Sequence, residues 1–112
     1  TTSPLGRSTE ETGMPIRMAE LLSSLATEGY ITRQTVIKPK FINRTKKAIK
    51  KAFTYQMEGR CFSLVEVVST CPTNWGMTPL DAITWTEETL LPYFPLGDFK
   101  TPEEAEAVSA TA

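Results

Sequence analysis

Histidine is absent from the chain. That removes the commonest general base and the commonest metal ligand, and argues against a self-contained hydrolase or zinc enzyme. Cysteine is scarce, with Cys61 and Cys71 the two present. They have no CxxC spacing, so neither a zinc site nor a thioredoxin-like motif can be built from them. The run between them reads as a strand, which at ~3.3 Å per residue holds the thiols beyond disulfide reach. Two unpaired thiols predict a reducing, cytoplasmic setting. An excess of one charge sign is missing too. Twelve Lys and Arg against thirteen Asp and Glu leave a net charge of −1, which gives no global field to attract nucleic acid or an anionic membrane. No apolar run approaches the ~20 residues of a membrane span. An initiator Met is also lacking. Thr1-Thr2-Ser3-Pro4 reads as mid-loop, which predicts that the chain is part of a longer one.

What is present reads as one modest α/β domain of 112 residues, ordinary in its 40% hydrophobic and 22% charged content. Residues 1–13 are loop-like in composition. Met18, Leu21, Leu22 and Leu25 follow at helical spacing behind Pro15, with Gly29 placed to close the helix. Tyr30 to Ile37 is β-branched and reads as a strand ended by Pro39. From Phe41 to Glu58 the pattern is amphipathic. Ile42, Thr45, Ile49, Ala52, Phe53 and Met57 form one side, Lys46, Lys47, Lys50 and Lys51 the other, and Gly59 closes the helix. Cys61 to Val68 is nearly continuous in apolar residues, as a parallel strand covered on both faces should be. Thr78-Pro79-Leu80-Asp81 then has the form of an N-cap, a Pro at the first helical position and an acid in the first turn. That helix is expected to end at Leu90 or Leu91, before Pro92. Residues 93–112 read as a surface extension, with an acidic, flexible tail over 101–112. A strand–helix–strand unit of this length predicts a parallel crossover. Two strands are few for a whole sheet, so part of the sheet is expected to lie outside this chain.

Three features could carry chemistry. Seven of the twelve basic residues lie between Lys38 and Lys51. This face can contact phosphates or an acidic partner, but it lacks interleaved aromatics, and the solvated outer face of a crossover helix accounts for it more simply. Cys61, where the strand begins, reads as a core or edge thiol. Cys71 stands just past the carboxyl end of a strand, where ligands bind in open α/β sheets. Pro72 stiffens the turn behind it, and Trp75 is placed to exclude solvent. With no histidine to generate a thiolate, a nucleophile is disfavoured. A buried thiol before a turn and a metal-cluster ligand both remain open on the residues alone.

The stretch Ser69-Thr70-Cys71-Pro72-Thr73-Asn74-Trp75 resembles the C-terminal motif of the thiamine-diphosphate-binding β subunit of 2-oxoacid:ferredoxin oxidoreductases, of the 2-oxoglutarate or 2-ketoisovalerate type. Thr1 to Arg7, Lys46 to Phe53 and Leu91 to Lys100 are similar to three further motifs of that family, in the same order. The resemblance covers residues 1–100 and implies the C-terminal part of a parallel-sheet thiamine-diphosphate-binding domain. It implies oxidative decarboxylation of a 2-oxoacid, capture of the acyl group by coenzyme A, and electron transfer through a 4Fe-4S cluster to ferredoxin. It also implies an α subunit as partner, with γ and δ subunits in some members. Cys71 matches the fourth cluster cysteine. The family's GDGD…NN stretch, which holds Mg2+ and the diphosphate, does not occur here, and neither do its three other cysteines. The chain alone is therefore expected to bind neither cofactor and to be inactive, with no catalytic residue of its own. The rival reading is a non-enzymatic interaction module whose basic helix binds an acidic partner.

Overall fold

In the computed structural model, which describes residues 6–25 and 27–111, a three-stranded sheet of order β2-β1-β3 organises the chain. Its centre is β1 (Gly29–Thr35), and β2 (Phe62–Val68) runs parallel to it in continuous register from Gly29↔Phe62 to Thr35↔Val68. The helix between them, α3 (Pro39–Met57), is the crossover. The expected parallel unit is present. Pro39 does not end the first strand unit but opens α3 at its first turn, where the missing N–H costs no hydrogen bond. At the other end Gly59 has φ 61° and Arg60 N donates to Tyr55 O at 3.0 Å, a closed C-terminal cap.

Two short helices precede the sheet, α1 (Thr9–Thr12) and α2 (Met18–Ser23). The expected α2 stripe is turned outward: Met18, Leu21 and Leu25 are exposed, and the buried residue is Ala19. A small side chain lets the helix approach β1 closely, and Glu20 beside it reaches an arginine in the strand. Gly29 belongs to β1 and does not close the helix.

After β2 come α4 (Pro72–Trp75) and α5 (Pro79–Trp85). The Thr78 hydroxyl accepts from Asp81 N at 3.2 Å, so the N-cap read from the sequence forms. The helix then widens into a π-turn, Thr86–Leu90, and returns to α geometry in α6 (Leu91–Tyr93). It thus passes through Pro92 instead of stopping before it. The π-turn shifts the hydrogen-bond pattern just upstream of the ring that lacks an N–H.

The C-terminal segment departs most from expectation. Gly97–Lys100 forms β3, antiparallel to β1, with a register shift between Ile31 and Thr32. The sheet is therefore mixed, not purely parallel. The acidic segment forms helix α7 (Pro102–Thr111). Its Glu103 accepts a 2.5 Å hydrogen bond from the Tyr55 hydroxyl, and its Glu106 pairs with Arg60. Tyr55 is buried and packs edge-on against Tyr30 with centroids 5.4 Å apart. Burial, then the Glu103 carboxylate, push its phenol pKa well up. The motif-like residues 1–5 lie outside the described residues.

Alternation along β1 sorts the layers. Tyr30 and Thr32 face α3, while Ile31 and Arg33 face the α2 side. Arg33 is fully buried. Its Nη1 and Nη2 donate to the two Glu20 carboxylate oxygens at 2.7 and 2.6 Å, a bidentate pair. Nη2 lies 3.1 Å from Glu66 Oε2 on β2, and Nη1 donates to Pro95 O at 3.1 Å. The guanidinium sits 5.1 Å from the Phe94 ring centroid and 5.0 Å from that of Phe99.

The Arg33 hydrogen bonds hold the Glu20 carboxyl below its ordinary 4.5, against the opposing effect of burial. A depressed folded-state pKa contributes stability above the ordinary value, and that stability is lost as pH falls through the folded-state value. Urea unfolding of Glu20→Gln at pH 7 should show a loss of about 1–3 kcal/mol. The gap between variant and parent should narrow below about pH 4. An equal gap at both pH values would remove Glu20 ionisation from the stability of the fold. Arg33→Leu should cost about 3–5 kcal/mol, since it leaves two carboxylates facing an apolar pocket.

Candidate functional site

The carboxyl ends of β1 and β2 define one edge of the sheet. The Thr35 hydroxyl donates to Val68 O at 2.7 Å, tying the two strand ends together. The buried Thr45 hydroxyl lies 2.8 Å from Thr35 O and fixes α3 over the same edge. Lys38 Nζ, at the start of α3, donates to both Glu87 carboxylate oxygens at 2.7 and 2.6 Å. This clamp draws the π-turn toward the edge, although both side chains are exposed and its energetic contribution is small.

Cys71 stands at this edge. It follows β2 by three residues and forms the N-cap position of α4, with Pro72 at the first helical position. The thiol is exposed and unpaired, so the buried-thiol reading does not hold. Trp75 leans on Trp85, with ring centroids 4.7 Å apart and a 58° tilt. That stack fixes the far end of α4 to α5. Gly76 then turns the chain with φ 66°, a left-handed residue that glycine adopts without strain. Pro72 directly after it, the stacked indoles at the far end of α4 and the Gly76 turn beyond hold the thiol on a short, constrained arch.

Cys61 stands at the opposite end of β2. It is half-buried, and burial pushes its thiol pKa up. The structure does not bring the two thiols together. Among the described residues no group of three His, Cys, Asp or Glu side chains is arranged to hold a metal ion. A four-iron cluster takes four thiolates, so these residues offer one donor and not a complete site.

The basic cluster also resolves. Lys40, Arg44, Lys46, Lys47, Lys50 and Lys51 are exposed along α3. Lys51 lies 5.2 Å from the Tyr30 ring centroid and 5.6 Å from that of Tyr55. The outer-face reading fits, but the apolar side assigned to the core does not. Of that set Thr45 is buried and Ala52 half-buried, whereas Ile42 and Ile49 are exposed, Phe53 is 66% exposed and Met57 88%. The inward face is made by Thr45, Ala48 and Tyr55. The Arg33 network escaped the sequence reading. Its one signal was an arginine in the middle of a β-branched strand, with an acid, Glu66, in the middle of the next.

Two curated relatives match the chain. It is 36% identical over 99 residues, 88% of its length, to ketoisovalerate oxidoreductase subunit VorA of Methanothermobacter thermautotrophicus. It is 35% identical over 99 residues to the subunit of the same name from Methanothermobacter marburgensis. The chain is similar to ketoisovalerate oxidoreductase subunits. It spans about a fifth of their length, 21% in each case. Their designation is VorA, and it does not itself carry the β-subunit assignment drawn from the motifs. No family model matches the chain, and no solved structure matches it. Among the described residues no helix is long and apolar enough to cross a membrane.

The exposure difference between the thiols is directly testable. Cys71 should react with a chromogenic disulfide reagent at pH 8 at least about tenfold faster than Cys61. Cys61→Ser should leave the fast phase, and Cys71→Ser should abolish it. A slow Cys71 would show that the arch is covered in solution.

Proposed function

We propose that the chain is a stretch of a thiamine-diphosphate-dependent 2-oxoacid:ferredoxin oxidoreductase subunit, in which Cys71 supplies one thiolate to an iron–sulfur cluster. The observation that carries this reading is the 36% identity to a ketoisovalerate oxidoreductase subunit over 88% of the chain. The exposed Cys71 on its constrained arch supports it. The relatives' names favour a branched-chain 2-ketoacid over 2-oxoglutarate as substrate. The assignment to the C-terminal part of the β, thiamine-binding subunit rests on the order of the four motifs.

In this reading the cluster, when bound, passes electrons singly toward ferredoxin. Thiamine diphosphate, Mg2+ and coenzyme A are held by residues outside this chain, and other subunits of the enzyme are its partners. This chain's contribution is positional. The Thr35–Val68 bond and the Trp75–Trp85 stack set where the Cys71 sulfur emerges. Pro72 removes a backbone N–H beside it and limits the turn's freedom to move between redox states. The indoles exclude water on one side, which is one of the ways a protein sets a cluster potential. The basic face of α3 is free to meet an acidic surface of a partner subunit.

Cys71→Ala in the whole enzyme should lower iron and sulfide content and bleach the cluster absorbance, while thiamine diphosphate binding is retained. Unchanged iron and sulfide would remove Cys71 from the ligand set. Trp75→Leu, which keeps the thiol but opens its surroundings, should keep the iron and shift the cluster potential.

A further inference from the structure

α3 packs on β1 and β2, and β3 lies on the far side of β1 from β2. Between the first half of the helix and the entry to β3 the structure leaves a cavity of about 210 Å³, lined by Gln34, Arg44, Leu96, Gly97 and Asp98. Asp98 lies opposite Thr32 in the strand register, and Thr32 and Gln34 share the α3 face of β1 by alternation.

Two of these residues carry opposite charges and do not pair. Arg44 and Asp98 are both exposed, and among the described residues neither forms an ion pair. The Arg44 guanidinium lies instead 5.7 Å from the Phe41 ring centroid. Between the two charges a third polar group is held in a set orientation. The Thr32 hydroxyl is fully buried and donates to Gly97 O at 3.1 Å. Its one proton is thus committed, so toward Gln34 it can only accept, and Gln34 Nε2 lies 2.8 Å away. The carboxamide is fixed with its nitrogen toward Thr32, which leaves its oxygen as an acceptor at the cavity.

This arrangement selects among ligands. A simple anion at Arg44 also faces the Asp98 carboxylate, and a simple cation at Asp98 also faces Arg44. A molecule that carries both signs a few ångströms apart meets both groups. The cavity is smaller than the roughly 300–1,000 Å³ of pockets for drug-sized ligands, which disfavours nucleotides and coenzymes. A free α-amino acid has the required charges at the required scale. Its carboxylate accepts from the Arg44 guanidinium. Its ammonium donates to the Asp98 carboxylate and to the Gln34 amide oxygen. Half-buried Leu96 offers a short aliphatic side chain an apolar wall.

We infer that this cavity binds a free α-amino acid with a short aliphatic side chain. The site shares no residue with Cys71 or its arch, so it stands or falls independently of the iron–sulfur reading. A ligand that joins α3 to β3 also stabilises the folded chain by mass action. The test is equilibrium dialysis of labelled L-valine against the polypeptide as it occurs in its cell, with thermal melts of the same samples. Saturable binding at millimolar concentration and a raised Tm are expected. Arg44→Gln and Asp98→Asn change exposed positions, so both variants should melt as the parent does without ligand. Each should weaken L-valine binding about tenfold. Isovalerate, which keeps the carbon skeleton and the carboxylate but has no ammonium group, should show no binding that depends on Arg44. Absence of L-valine binding overturns the inference, and so does binding that both variants leave unchanged. Arg44-dependent binding of isovalerate as tight as that of L-valine overturns it as well.

Discussion

One guanidinium ties this fold together. Arg33 projects from the central strand and is fully buried, and a buried charge must be paired. Its partners come from every direction: Glu20 from α2, Glu66 from β2, the Pro95 carbonyl and two phenylalanine rings from the segment leading into and through β3. A purely apolar contact would tolerate small slips of these elements. A bidentate carboxylate pair does not, because a slip of an ångström or two leaves a buried charge unpaired. α2 packs on β1 through the small Ala19, and the arginine fixes the placement of α2 and of the β3 segment.

That rigidity has a direction. The Arg33 network lies on one face of the sheet, and on the other α3 is held by Thr45, Ala48 and Tyr55. The strand ends between these layers are bonded to each other through Thr35 and Val68. Cys71 emerges three residues beyond that bond, on an arch braced by stacked indoles. The frame fixes where the Cys71 thiol emerges relative to the two strand ends. The exposed apolar side of α3 is different in kind, since apolar side chains left in water mark a surface the fold has not finished covering.

Much of this was legible in the residues. The β-branched and apolar runs around a long amphipathic helix gave the parallel unit, and Thr78-Pro79-Leu80-Asp81 gave the start of α5. The position of Cys71 at a strand's carboxyl end followed from the same pattern. Other parts were hidden for identifiable reasons. β3 is four residues, Gly-Asp-Phe-Lys, with no β-branched member, and its strand geometry comes from pairing with β1. Periodicity finds large apolar stripes, but the contacts of α2 and α5 run through Ala19 and Ala82, whose value is their smallness. For α3 the apolar stripe was real and its direction was not, because a stripe says that something covers it and not what does. Arg33 belongs to a residue type seldom fully buried, so only its tertiary partners reveal it.

The π-turn carries a consequence for how the sequence can vary. An α-helix rotates about 100° per residue, so the number of residues between Trp85 and Phe94 sets a phase. Trp85 is locked to Trp75 at one end, and Phe94 is locked over Arg33 at the other. The widened turn over Thr86–Leu90 reconciles these two fixed points within one continuous helix. Substitutions at the exposed Glu88 and Thr89 of this stretch leave both anchors in place, but an insertion or deletion of a single residue would swing one aromatic anchor away from its partner. Its length should therefore vary less among related chains than its composition.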